Sequence, residues 1–128
     1  MSERAAPPLV SILRQGDCLI ASFHTALDDG QLVRFQRDLV RQVGETRSRG
    51  VIIDVAALDV LDSYGSKCIR NIAEMARLRG AETVVVGLQP DVAYAMVQLG
   101  LSLDTLHTAL DLEEGLALLA MLGPAHAG

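Results

Sequence analysis

The sequence predicts a single α/β domain, a mixed β-sheet that opens with an N-terminal hairpin and is packed by about four α-helices. Two short apolar runs, Leu9 to Leu13 and Cys18 to Phe23, flank Arg14-Gln15-Gly16-Asp17, whose Gly and Asp suit a tight turn. Two nearly continuous β-branched runs, Val51-Ile52-Ile53 and Thr83-Val84-Val85-Val86, have the composition of buried parallel strands. Elsewhere apolar residues recur at intervals of three and four, the period of a helix with one face inward.

Taken in order, the hairpin comes first. After Asp28-Asp29-Gly30, the residues Leu32, Phe35, Leu39 and Val43 form an inward stripe, with Arg34, Arg37, Asp38 and Arg41 on the other side. This predicts an amphipathic helix running to about Gly50. The run Val51 to Ile53 is then a strand, and Ile69, Ile72, Ala73 and Ala76 mark the inner face of a second helix closed by Gly80. With Thr83 to Val86 this makes a strand-helix-strand unit, whose crossover is expected to be right-handed. Pro90 can start a third helix with Val92, Ala93, Met96 and Leu99 inward and Gly100 at its end. Leu103 to Thr108 is a weak last strand, and Asp111 caps a final helix carrying Leu112, Leu116 and Leu119. Gly30 and Gly44 suit a turn and close helix packing, and Gly87 a strand end. Residues 1–8 and 123–128, rich in Ala, Pro and Gly, read as loose tails around a domain at 9–122.

A chain of 128 residues is long enough to bury a sizeable core, because domains of this size hide roughly two thirds of their unfolded surface. Hydrophobic residues make up 50% but aromatics only 3%, with no Trp, so packing is expected to be aliphatic. The net charge of −5 argues against nucleic acid as the main partner. Arg34, Arg37, Arg41, Arg47 and Arg49 cluster around the first helix, where they either form a solvated face or meet an acidic partner. Cys18 and Cys68 lack CxxC spacing and sit among apolar residues, which favours reduced thiols and leaves a bridge open. There is no apolar run of the roughly 18 to 20 residues that spans a bilayer, and the first eight residues lack the plan of a signal peptide. The expectation is a soluble, cytoplasmic protein with no membrane partner.

The most telling stretch is Val51 to Gly65, where an apolar strand runs into an acidic loop that delivers Ser63 to the start of a helix. A serine there either caps the helix or presents a hydroxyl for phosphorylation, since free N–H groups and the helix dipole favour added negative charge. Asp62, Tyr64, Ser66 and Lys67 fall outside the inward series Ile69, Ile72 and Ala76 and offer polar and aromatic groups for a partner. Asp59 and Asp62 could be a metal or acid-base pair, or simply an acidic turn placed by the dipole.

Asp62-Ser63 after a strand and an acidic loop resembles the phosphorylated loop of STAS domains, the sulphate-transporter and anti-sigma-antagonist family. Leu27-Asp28-Asp29, Gly87-Leu88-Gln89-Pro90 and Thr108-Ala109-Leu110-Asp111-Leu112-Glu113 extend the likeness over nearly the whole chain, toward the RsbS-like stressosome scaffolds. Many anti-sigma antagonists carry two adjacent serines and modify the second, where this chain has Tyr64; the RsbS-like subgroup has an aromatic there and uses the serine after the aspartate. The resemblance implies a STAS fold and a non-catalytic regulatory scaffold that sequesters an RsbT-like serine/threonine protein kinase and releases it when Ser63 is phosphorylated. Ser66 is the fallback acceptor. It also implies RsbR-like STAS-bearing paralogues as partners and assembly into homo- and hetero-oligomers. The alternative within the family is a simple anti-sigma factor antagonist that binds a kinase-like anti-sigma factor.

An enzyme is not expected, nor a cofactor or metal. His24, His107 and His126 stand apart, without the converging ligands that a metal needs. Gly65-Ser66-Lys67 breaks the GxxxxGK(S/T) frame of a nucleotide loop. Asp54 at a strand end suggests a phospho-receiver domain, but the acidic pair after the first strand and the lysine after a late strand are missing.

Overall fold

The computed structural model describes residues 8–99 and 106–123. It contains β1 (Val10–Gln15), β2 (Cys18–Phe23), α1 (Asp29–Thr46), β3 (Gly50–Asp54), α2 (Ser63–Leu78), β4 (Glu82–Val86), α3 (Pro90–Gln98), β5 (His107–Ala109) and α4 (Leu112–Leu122). The tails before Pro8 and after Gly123, the helix stop at Gly100, and positions 103–105 of the last strand lie outside the described residues.

The five strands stand in the order β1-β2-β3-β4-β5. Only β1 and β2 are antiparallel, with Gln15 opposite Cys18 across the two-residue turn Gly16-Asp17. Gly16 has φ +61° and Asp17 does not have a positive φ, the sign pattern of a II′ turn matched to strand twist. From β2 onward the pairing is parallel, so the C-terminal ends of β2, β3 and β4 and the loops that leave them share one edge of the domain. This is the mixed sheet and opening hairpin expected from the apolar runs.

Alternation along the strands divides the core. Leu19, Ala21, Phe23, Val51, Ile53 and Val85 point to one face, where Leu32, Phe35, Leu39 and Val43 of α1, Ile69, Ile72 and Ala76 of α2, and Val92 and Met96 of α3 cover them. Ile20, Ile52, Val84 and Val86 point to the other face and pack on Leu119 of α4. Leu39 and Ile72 are fully buried, so truncating either to Ala is expected to cost about 2–5 kcal/mol. The two phenylalanines meet within the larger layer, with the Phe23 and Phe35 rings 4.9 Å apart and tilted by 59°.

The helix ends differ from expectation in instructive ways. Asp28 caps α1 through a capping box, accepting the Gln31 amide at 2.8 Å while Gln31 Oε1 accepts the Asp28 amide at 2.8 Å, so Gly30 lies inside the helix and not in a preceding turn. α1 stops at Thr46, short of Gly50, because Arg47 adopts the left-handed conformation (φ 52°, ψ 40°) and Gly50 already belongs to β3. Leu99, expected inward, is half-exposed, because it leaves the helical course as the C-cap of α3. β5 is later and shorter than Leu103 to Thr108. Asp111 caps α4 as expected, accepting the Glu114 amide at 2.9 Å. Both cysteines are free thiols, Cys18 half-buried and Cys68 buried.

Candidate functional site

The loop between β3 and α2 is anchored by hydrophobic residues that its acidic reading conceals. Val55, Leu58 and Leu61 are buried and belong to the larger core layer, leaving Ala56, Ala57, Asp59, Val60 and Asp62 outside. The period of three in Val55, Leu58 and Leu61 was the available signal. Backbone bonds support it: the Val55 amide donates to the Val86 carbonyl at 3.0 Å, and the Leu58 amide to Val55 at 3.0 Å. Asp54 Oδ1 accepts the Ala56 amide at 2.9 Å, which turns the chain out of β3.

A second loop props the first. Gln89 Nε2 donates to the Ala56 carbonyl at 3.1 Å, and the Gly87 backbone lies so close to Ala56 that an added Cβ would sit 2.7 Å from its Cβ. Gly87 also has φ +75°, which a larger residue would hold under strain. The segment Gly87-Leu88-Gln89-Pro90 therefore positions the serine-bearing loop from beneath.

Asp62, and not Ser63, is the N-cap of α2: its Oδ1 accepts the Gly65 amide at 2.8 Å, and its carbonyl accepts the Ser66 amide at 2.9 Å. The capping reading of Ser63 is corrected on this point, because the shorter path from residue 62 to the third amide of the helix belongs to the aspartate. Ser63 is exposed at the first helical position, and its hydroxyl makes no hydrogen bond among the described residues. The early amides of Ser63 and Tyr64 face solvent, as helix-start donors do.

The other predicted residues divide. Asp62, Ser63, Tyr64 and Lys67 are exposed together at this helix start, Tyr64 by 41%. Ser66 is 1% exposed, and its Oγ has no hydrogen-bond partner, so it faces the interior and belongs to neither the partner surface nor the fallback acceptor role. Its place in the buried series with Ile69 explains this, at spacing i, i+3. Two residues escaped sequence reasoning. Val60, 71% exposed, is the apolar tip of the loop, and Arg70 continues the exposed face Ser63-Lys67 at i+7. Beside Val60, a hollow of about 110 Å³ opens between the loop and the approach to α1, bounded by Phe23, Leu27, Leu58, Leu61 and Asp62.

Burial pushes the Cys68 thiol up to about 11 and, with the Asp17 carboxylate as a lesser cause, also raises Cys18, so both stay protonated near neutrality. His24 bonds Ser11 Oγ at 2.7 Å and His107 bonds Glu82 at 3.0 Å. Among the described residues no three His, Cys, Asp or Glu side chains converge as a metal site, and no helix is long and apolar enough to cross a membrane.

A family model, the STAS domain, matches residues 10–115, from the opening hairpin into α4. The chain belongs to the STAS family. This STAS domain is 30% identical over 90 residues to the RsbT co-antagonist protein RsbRA of Bacillus subtilis, covering 70% of this chain but 33% of RsbRA. It spans about a third of the length of RsbRA and 24% of RsbRD of the same organism. Among solved structures, a serine-to-glutamate variant of Moorella thermoacetica RsbS superposes with a TM-score of 0.81 at 31% identity, over 88% of this chain and 96% of that one. A chain from the molecular architecture of the stressosome, a signal integration and transduction hub, gives a TM-score of 0.74 at 28% identity, over 88% and 97%. The STAS assignment agrees with the mixed sheet and the four helices of the described residues.

Proposed function

We propose that this STAS domain is a non-catalytic regulatory scaffold of a bacterial stress-signalling complex, holding a serine/threonine protein kinase of the RsbT type and releasing it when Ser63 is phosphorylated. The observation that carries this reading is the state of Ser63. It is exposed, free of the capping duty that Asp62 performs, and mounted on a loop pinned by Val55, Leu58 and Leu61. The likeness to RsbS and to a stressosome chain over nearly their full length supports the scaffold class.

The switch is electrostatic. A phosphate on Ser63 adds roughly −1.5 to −2 charge beside Asp59 and Asp62, while the α2 N-terminus and Lys67, one turn further on the same face, hold it in place. A kinase docked on Val60, Tyr64 and Lys67 loses both the neutral hydroxyl and the free lysine. The kinase supplies all catalysis, and RsbR-like STAS paralogues complete a homo- and hetero-oligomeric assembly in the cytoplasm.

The test is capture of an RsbT-type kinase by immobilised protein, with phosphosites mapped by mass spectrometry. Capture by the unmodified chain, loss of capture on phosphorylation, and phosphate incorporation that disappears in Ser63→Ala are expected. Undiminished incorporation in that variant overturns Ser63 as the acceptor. Light scattering on the chain co-expressed with a paralogue then separates a megadalton scaffold from a simple antagonist of a kinase-like anti-sigma factor.

A further inference from the structure

The arginines of the first helix take no part in the Ser63 surface. Val33, Arg37, Val40, Arg41 and Gly44 follow one another along the outer side of α1 and, with Met75 of α2 and Arg79 at its C-cap, wall a groove of about 610 Å³. Its floor is apolar and its rim cationic. Arg37, Arg41 and Arg79 face a single carboxylate within the groove, Glu45, and Arg41 is shared between Glu45 at 3.7 Å and Asp38 at 3.6 Å. Both bridges are exposed, of the kind that water and salt weaken most. In a chain of net charge −5, this groove inverts the local sign.

The opposite pattern lies on α4. Glu113, Glu114, Ala117 and Met121 are exposed at helical spacing, with the carboxylates at the start of the helix and Met121, 77% exposed, at its end. Since α1 and α4 cover opposite faces of the sheet, the two stripes of one molecule cannot meet.

We infer that the α1–α2 groove receives α4 of a second copy of this chain, running antiparallel to α1. Lengths agree: Val33 to Arg41 and Glu113 to Met121 each span eight helical steps, about 12 Å. Antiparallel alignment sets Glu113 and Glu114 against Arg41 and Arg79, and Met121 against the apolar Val33 at the far end of the groove. The small Ala117 passes the middle of the groove. Because the two surfaces differ, the contact is heterologous: one copy of a pair keeps its α4 free and the other its groove, and these can extend a ring or a larger assembly. This names the surface for the assembly half of the scaffold reading and rests on that reading for its purpose, but it does not involve kinase capture at Ser63.

Sedimentation velocity on the full chain alone, over a concentration series at low salt and at about 1 M salt, tests it. Concentration-dependent association is expected, weakened at least tenfold at high salt, where the screening length falls to about 3 Å. Arg41→Glu with Arg79→Glu, and separately Glu113→Arg with Glu114→Arg, should each weaken self-association at least tenfold while leaving circular dichroism unchanged. An equimolar mixture of the two double variants should associate again, because each then offers a complementary surface to the other. Ala117→Arg, which blocks the stripe by size, should also dissociate the chain. A monomeric wild type, a variant that associates like wild type, or a mixture that stays dissociated while wild type associates overturns the inference. Kinase capture measured on the same variants is expected to persist, and its loss in wild type would instead count against the Ser63 reading.

Discussion

The Asp62 carboxylate accepts the Gly65 amide at 2.8 Å, which closes the start of α2 and leaves the neighbouring Ser63 hydroxyl outside the cap. Helix capping thus falls to Asp62, beside the residue proposed for modification. Asp62→Ala is expected to cost about 0.5–2 kcal/mol in denaturant unfolding, the usual loss of an N-cap. Ser63→Ala should stay within about 0.5 kcal/mol of wild type, as exposed substitutions do, while removing kinase-dependent phosphate. Equal destabilisation by the two changes would contradict this division.

Ser66 offers a second comparison. Its buried hydroxyl has no partner, so Ser66→Ala removes an unsatisfied polar group and should leave stability unchanged or raise it by up to about 1 kcal/mol. Ser66→Asp places a carboxylate among apolar neighbours and should destabilise strongly. Chemical denaturation of both variants is the measurement. A well-folded Asp variant would show that residue 66 is more accessible than the packing indicates.

The loop after β4 should matter for binding although it carries no predicted contact. Gly87→Val meets Ala56 and adopts a strained φ, with an expected cost of about 1–3 kcal/mol. Kinase capture should fall further than thermal stability alone explains, because the displaced loop carries Val60 and Ser63 with it. Normal capture by a folded Gly87→Val protein would separate the two loops.

Tyr64→Ala combined with Lys67→Glu should weaken kinase capture by at least about 1 kcal/mol if the aromatic anchors the interface, with circular dichroism and melting nearly unchanged. Val60→Asp should act in the same direction, since it places a charge at the exposed apolar tip. Calorimetric titration against the kinase reads both. Full-strength binding in both variants would move the docking surface elsewhere.

The Cys68 thiol links pH to folding. Its folded value is pushed up to about 11 from 9.0 by burial, so the unfolded chain loses the proton first as pH rises. The stabilising contribution is complete below about pH 9 and is lost between there and about pH 11. Melting temperature should fall across that window less steeply in Cys68→Ala than in wild type. At neutral pH a thiol reagent should label Cys68 only as fast as the protein opens.

Local patterning determined much of this protein. The alternation in Cys18 to Phe23, the β-branched runs, and the i, i+3, i+4 series in α1 and α2 announced the strands, helices and inward residues, because each depends on short-range geometry and on which side chains avoid water. Asp62-Ser63 at a strand-to-helix loop marked a candidate site for the same reason. Tertiary structure decided the rest. Only packing shows that Ser66 is sealed against the core and that Gly87 and Gln89 brace Ala56 from another loop. Helix ends were equally beyond local reading: whether Asp62 or Ser63 caps α2, or Arg47 or Gly50 ends α1, is settled by small differences that the neighbouring chain can tip. A sequence specifies which side chains seek burial, whereas the identity of their neighbours, and so which polar groups remain free to act, depends on contacts between segments far apart along the chain.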